Sequence, residues 1–369
     1  MNSGREGRGP GARTVTVHRT HPFRCRPAVA VICTLCVLGL VAAACGSPPT
    51  AAPTGPRSIV QLGDSVASGE GTLYGYTYDP ATQRWTGGDL DAVWPGPYPL
   101  CHDSPDAYGH VLAARYHARF AQFACTGSTF TNGITGPRTF AGITYRPAQF
   151  GNLTTHTNIN AAYDAARPDL VLVTLGADDV RFSTVVRACV TDQLAHALDP
   201  STPLDCTAAD PGATVQTDAL GNLPTLISNL RTLARWISQR GAADHHVPKV
   251  VFTNYFDPFP TGSTSCPDSA LLAPTQVSYL SNLLLRLNGD IMGTIAGLHL
   301  ANVGVVDLSS AFDGHRWCSS DPWDYGLSII SLSNPISLLS PAPFHPTPRG
   351  QQQIASRVGP AVNRLFGPS

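Results

Sequence analysis

Short, uninterrupted apolar runs constrain this chain most. Residues 169–175 read DLVLVTL, residues 249–255 KVVFTNY and residues 303–308 VGVVDL, with further runs at 58–62 and 119–123. None alternates polar with apolar, as a strand wet on one face would. They predict strands buried on both faces, as in a parallel sheet. Helical spacing marks the segments between them: 107–117, 159–166, 180–198, 220–240, 274–297 and 349–366. Within 220–240, Leu223, Leu226, Ile227, Leu230, Leu233 and Ile237 share one helix face. Strands alternating with helices predict an α/β fold of three layers around a central parallel sheet. Stretches 75–100, 128–157, 200–218 and 309–345 are polar or rich in Pro and Gly and read as loops. No repeat or second linker interrupts the pattern, so residues 58–369 read as one domain.

The first 44 residues have another character. Six arginines and one acid, Glu6, lie within residues 1–27, and residues 28–44 are almost wholly apolar. A basic head before a short apolar run reads as an export signal. It ends in Ala42-Ala43-Ala44-Cys45, which resembles a bacterial lipobox, with Ala42 where Leu is usual. The expectation is a signal peptide of lipoprotein type over 1–44, lipidation at Cys45 and a Pro/Ala/Ser tether over 45–57. Cleavage after Ala44 without lipidation, or an uncleaved anchor, are the alternatives. The remainder is expected outside the cytoplasm, as a cell-envelope lipoprotein or a secreted protein.

Charge narrows the partners. The formal net charge is -1, from 24 Lys+Arg against 25 Asp+Glu. A protein that grips nucleic acid through phosphates carries a basic excess, and none exists here. Lys249 is the sole lysine, and Glu70 the sole glutamate after the signal, so a catalytic carboxylate must be an aspartate or Glu70. Cysteines 25, 33, 36 and 45 belong to the signal and its end. Cys101, Cys125, Cys189, Cys206, Cys266 and Cys318 remain, an even number that predicts three disulfides in an exported chain. No metal-ligand spacing appears among them or among the histidine pairs, so neither metal nor cofactor is expected.

Ser65 follows the first strand run directly, in Gly63-Asp64-Ser65-Val66-Ala67. Ligands of open α/β sheets bind beyond the carboxyl ends of the strands, where an exposed hydroxyl is placed for nucleophilic attack. Ala67 departs from the G-x-S-x-G elbow. A serine needs a base, and His345 lies in a Pro-bounded loop opening the last helix. Most of the twelve histidines have only a structural reading.

These residues carry a family resemblance. Residues 59–72 (IVQLGDSVASGEGT) resemble the first block of the SGNH, or GDSL, hydrolases, above all the secreted bacterial esterases and lipases. Cys125-Thr126-Gly127-Ser128 resembles the second block, residues 175–182 (LGADDVRF) the third and residues 345–350 (HPTPRG) the fifth. Cys101-His102-Asp103-Ser104 resembles the stretch before the second block in the secreted subgroup. The resemblance implies a flavodoxin-like sheet and ester hydrolysis through an acyl-enzyme. Ser65 would be nucleophile and His345 general base. The Ser65 and Gly127 amides and the side chain at 178 would form the oxyanion hole. It also implies sequential disulfides, Cys101–Cys125, Cys189–Cys206 and Cys266–Cys318. An ester or lipid substrate, a membrane contact through Cys45 and a monomer complete the expectation.

Two departures bear on mechanism. Asp178 stands where the family has Asn, and an ionised Asp cannot donate a hydrogen bond. Asp179 reads as a helix cap before Val180. Ala342 stands where many members have an Asp before the His. The expected orienter of His345 is therefore the Ala342 carbonyl, giving a dyad, with Asp321 or Asp324 as the triad alternative. Glu70 reads as a partner for helix or loop N–H groups. Tyr74, Tyr76, Tyr78, Trp85 and Trp94 either line a pocket or pack their own loop. An envelope acyltransferase using Ser65 and a catalytically impaired binding lipoprotein are the competing functions.

The lipobox reading has a direct test. Full-length protein should partition into detergent, and Cys45→Ala should release or mislocalise it, because several acyl chains hold a membrane firmly where one does not. Mass spectrometry finding unmodified Cys45 at a free N-terminus would rule lipidation out.

Overall fold

The computed structural model describes residues 55–89, 92–206, 215–261, 266–327 and 343–367. The signal segment, Cys45, most of the tether and Ala342 lie outside these residues. The chain divides into Met1–Thr50 and Ala51–Ser369, and the second unit is described here.

Along the chain, β1 (Ser58–Gly63) leads into the short helix α1 (Ser65–Ser68). The hairpin strands β2 (Tyr76–Asp79) and β3 (Arg84–Gly87) come next, then α2 (Tyr108–Tyr116) and β4 (Arg119–Gln122). A second hairpin, β5 (Arg138–Phe140) and β6 (Ile143–Arg146), precedes α3 (Ala161–Ala166) and β7 (Leu170–Thr174). The remainder is α4 (Phe182–Leu198), α5 (Val215–Ala243), β8 (Lys249–Thr253), α6 (Pro274–Ala296), β9 (Val303–Val306) and α7 (Pro348–Phe366).

Five strands form the central sheet in the order β4-β1-β7-β8-β9, and every pairing is parallel. These are the five apolar runs of the sequence. Their character follows from burial: Leu170, Val171, Leu172 and Val173 are each fully buried. Helices flank the sheet, α2 packing with α7, and α5 with α4 and α6. On α5 the expected face is inward, with Leu223, Leu226, Leu230, Leu233 and Ile237 buried. The three disulfides join Cys101 to Cys125, Cys189 to Cys206 and Cys266 to Cys318, the sequential pairing the family resemblance implied.

The structure departs from expectation in the long loops. Stretches 75–100 and 128–157 each hold an antiparallel hairpin, β2–β3 and β5–β6. Each is a separate two-stranded sheet, so neither carries the apolar signature of the buried strands.

The carboxyl ends of β1, β7 and β8 are level, with Gly63 beside Thr174 and Thr174 beside Thr253. Gly63 has φ 138, and a Cβ on it would stand 2.0 Å from the Thr174 carbonyl oxygen. Only glycine lets the chain turn there while the strands stay paired. Gly63→Ala should destabilise the fold by about 2–4 kcal/mol, read as a lower midpoint in chemical denaturation. An unchanged midpoint would show that the turn can relax.

Candidate active site

Ser65 is the first residue of α1, at the carboxyl edge of β1. Asp64 caps that helix: its Oδ1 accepts the Val66 amide at 3.1 Å, and its own amide donates to the Thr174 carbonyl at 3.0 Å. The Tyr255 hydroxyl donates to Asp64 Oδ2 at 2.5 Å and accepts the Ala177 amide at 2.9 Å. One phenol thus ties the loop after β7 to the turn that carries Ser65. Gln149, fully buried, holds the other side. Its Oε1 accepts the Gly63 amide at 2.7 Å, and its Nε2 donates to the Gly63 carbonyl at 2.8 Å and to Ser128 Oγ at 3.0 Å. Sequence reasoning missed both Tyr255 and Gln149, whose partners lie far away along the chain.

The structure brings His345 to Ser65, with Nε2 2.7 Å from Oγ. Its Nδ1 lies 3.2 Å from the Pro343 carbonyl oxygen; the Ala342 carbonyl expected in that place lies outside the described residues. The loop is fixed by strand-like bonds: the Tyr325 amide donates to the His345 carbonyl at 2.9 Å, the Thr347 amide to the Trp323 carbonyl at 2.9 Å, and the Phe344 amide to the Tyr325 carbonyl. Thr347 then caps α7, its Oγ1 accepting the Gly350 amide at 3.1 Å. Neither aspartate of the triad alternative bonds to His345. Asp321 is engaged by Arg349 at 2.7 Å and by His315. Asp324 is fully buried, and among the described residues no well-formed hydrogen bond reaches its carboxyl oxygens. Burial and the charge of Asp257 push its pKa well above the carboxylate range, against the weaker pull of the Trp317 amide and of Arg316.

The two other expected groups lie on turns tied to the Gly63-Asp64 segment, one through Cys125 and one through Ala177 and Tyr255. Gly127, φ +69, sits in the turn closed by the Ser128 amide on the Cys125 carbonyl at 3.1 Å. The Cys125 amide donates to the Gly63 carbonyl at 3.1 Å, joining that turn to β1. Asp178 is half-buried. Burial and the neighbouring Asp179 push its carboxyl up to about 7, while Arg138 and Arg187 pull it down. Burial likewise raises Asp64, with Asp178 adding to the effect. Asp179 is not the helix cap expected of it, because α4 begins at Phe182 behind Arg181. Its Oδ1 accepts the Phe130 amide at 3.1 Å, and burial holds its carboxyl at about 6.

Glu70 differs from expectation too. Its partners are side chains, not loop amides: the Tyr74 hydroxyl at 2.9 Å and His102 Nδ1 at 2.5 Å. Burial alone would raise the carboxyl; the bond and charge from His102 reverse this and hold it below the usual range. The Glu70 amide donates to the Ser65 carbonyl at 3.0 Å, directly behind the nucleophile. The aromatics of that region pack: Tyr74, Trp94 and Tyr325 form a small buried cluster, with Tyr76 and Trp85 against it.

A serine hydroxyl and an imidazole meeting at the carboxyl edge of a parallel sheet make the frame of a hydrolase. The family model described as GDSL-like Lipase/Acylhydrolase matches residues 59–358. The chain belongs to that family and is an ester-hydrolysing enzyme. Among solved structures it is similar to the extracellular lipase of Streptomyces rimosus: TM-score 0.52, 21% identity, covering 82% of this chain and 98% of that one. It is also similar to phospholipase A1 of Streptomyces albidoflavus: TM-score 0.50, 21% identity, covering 84% and 98%. Both likenesses concern the fold. No curated protein matches the sequence.

Asp178 yields a pH test. Its folded value of about 7 exceeds the ordinary 3.8, so the folded chain keeps a proton that the unfolded chain releases. Stability therefore falls as pH rises from about 4 to about 7. Asp178→Asn removes this penalty: its melting temperature should exceed that of wild type near pH 8, and the gap should close near pH 4. A gap independent of pH would show that Asp178 does not titrate in this window.

Proposed function

We propose that this protein is an exported serine carboxylester hydrolase in which Ser65 and His345 act as a dyad. The 2.7 Å approach of His345 Nε2 to Ser65 Oγ carries the reading. In the reaction Oγ attacks the ester carbonyl carbon and passes its proton to Nε2. The carbonyl π-electrons move to oxygen, giving a tetrahedral oxyanion. Its collapse expels the alcohol, which takes the proton from His345 and leaves Ser65 acylated. Water, deprotonated by the same imidazole, then releases the acid and restores Ser65. The Pro343 carbonyl accepts from Nδ1–H, keeping Nε2 unprotonated in the resting ring. The amides of Ser65 and Gly127 receive the oxyanion charge, where a preset donor is worth about 3–4 kcal/mol.

In its protonated form, which predominates below about pH 7, Asp178 completes the hole. A carboxyl kept protonated by its surroundings donates a hydrogen bond as an amide does, which argues against the impaired binding lipoprotein. Export with a lipid anchor at Cys45 is supported by the basic, then apolar, N-terminus and by the disulfides. The proposed substrate is a carboxylic ester or lipid.

Ser65→Ala and His345→Ala should each lower turnover of p-nitrophenyl butyrate by about 10³-fold or more without unfolding the protein. Ser65→Ala retaining most of the activity would falsify the dyad. Asp178→Asn should keep or raise turnover at neutral pH and flatten the decline of wild type above about pH 7, since an amide donates at every pH. A folded but inactive Asn variant would remove Asp178 from the oxyanion hole.

A further inference from the structure

Resting on the esterase reading above, we propose that Arg138 is a positioning residue for the oxyanion hole, holding and polarising the peptide group that presents the Gly127 amide. The argument begins with one peptide bond. The Gly127 N–H and the Thr126 C=O belong to the same planar amide and point in opposite directions. Whatever fixes the carbonyl therefore aims the N–H.

Arg138 Nε donates to the Thr126 carbonyl at 2.8 Å. Its Nη1 donates to the Thr139 carbonyl at 2.6 Å. Its Nη2 lies 2.2 Å from where a Cβ on Gly127 would be, so the guanidinium occupies the space that a side chain at 127 would need. Two aromatic rings steady the cation, Tyr145 with its centroid at 5.1 Å and Phe140 at 5.9 Å. Only 8% of Arg138 is exposed. The β5–β6 register shifts between Arg138 and Thr139, and such irregularities re-aim side chains next to active sites.

A cation bonded to an amide oxygen draws electron density from the nitrogen and strengthens its N–H as a donor. The gain is largest when charge develops on the substrate oxygen, so it belongs to the transition state more than to substrate binding. Arg138 also acts on Asp178, opposing the rise that burial imposes there. The hairpin β5–β6, read from sequence as loop, thus serves as the mount for this guanidinium.

The test compares Arg138→Gln and Arg138→Lys with wild type on p-nitrophenyl butyrate, rates being normalised to Ser65 titrated by an active-site label, with Ser65→Ala, normalised to protein concentration, as the control. Removing a whole oxyanion donor costs about 10²–10³ in kcat. Loosening one should lower kcat about tenfold to a hundredfold in Arg138→Gln, with KM within about twofold. Arg138→Lys, keeping charge but not the planar fork, should fall between. A phenylboronic acid, whose tetrahedral adduct on Ser65 fills the same hole, should bind more weakly by a factor that tracks kcat/KM. A purely structural arginine would lower the melting temperature and leave kcat per titrated site and boronate affinity unchanged, and that result overturns the proposal. If Arg138→Gln does not fold, a Lys variant with wild-type kcat and boronate affinity overturns it equally. If Ser65→Ala is as active as wild type, the esterase reading falls and takes this inference with it. If Ser65→Ala is inert while the Arg138 variants match wild type, only the inference fails.

Discussion

The backbone of Gly63 holds the site together. Its amide is taken by Gln149, and its carbonyl accepts from both Gln149 and Cys125. One peptide step further, the Asp64 amide bonds across to the end of β7. Three parts of the chain thus meet on one residue without a side chain. A parallel sheet brings its strand ends to a common edge, but it does not by itself set the turns that leave that edge. Here buried hydrogen bonds set them, and each is costly to break because no water can replace the lost partner. The Ser65 turn and the Gly127 turn are consequently tied to the same strand end.

Charge at this edge is arranged with unusual economy. Burial raises all three carboxyl groups here, Asp64, Asp178 and Asp179; Asp178 and Asp179 add to the rise at Asp64, and Asp179 to that at Asp178. Tyr255, Arg138 and Arg187 oppose the rise. Desolvation penalises each ionised form, so the cluster favours protons where isolated surface carboxyls would have none. An aspartate at 178 is intelligible in this setting. The same residue in an exposed, cationic loop would be fully ionised and could only accept. On the other side of Ser65, Glu70 is held ionised by His102 although it is fully buried. Neighbouring carboxyls are therefore shifted in opposite directions by their surroundings.

The sequence made the sheet legible because its central strands, β1, β7 and β8, are almost wholly buried and mostly apolar, whereas the edge strand β4, with Arg119 exposed, is the least marked of the five. Ser65, Gly127 and His345 were legible because each sits beside a glycine or proline turn with a recognisable block around it. Arg138, Gln149 and Tyr255 were not. Their roles come from bonds to Thr126, Gly63 and Asp64, the last two partners 86 and 191 positions away, and nothing local distinguishes them from ordinary polar or aromatic residues. Asp179 was misread for the complementary reason. Its local context suits a helix cap, yet a distant amide, that of Phe130, claims its carboxylate. Glu70 has side-chain partners where amides were expected, since the loop that brings Tyr74 and His102 to it has no periodicity to read.

Ser65 and His345 are 280 positions apart, and the loop carrying His345 is held by residues 323–325 just before it and by α7 just after. Contacts of such long range form late, once the entropy of closing the intervening chain has been overcome. A nascent or partly threaded chain can carry the serine turn complete and still lack the imidazole that meets it. The contact between Ser65 and His345 is therefore a property of the finished molecule. Loss of the last helix would release the loop bearing His345 while leaving the Ser65 turn intact.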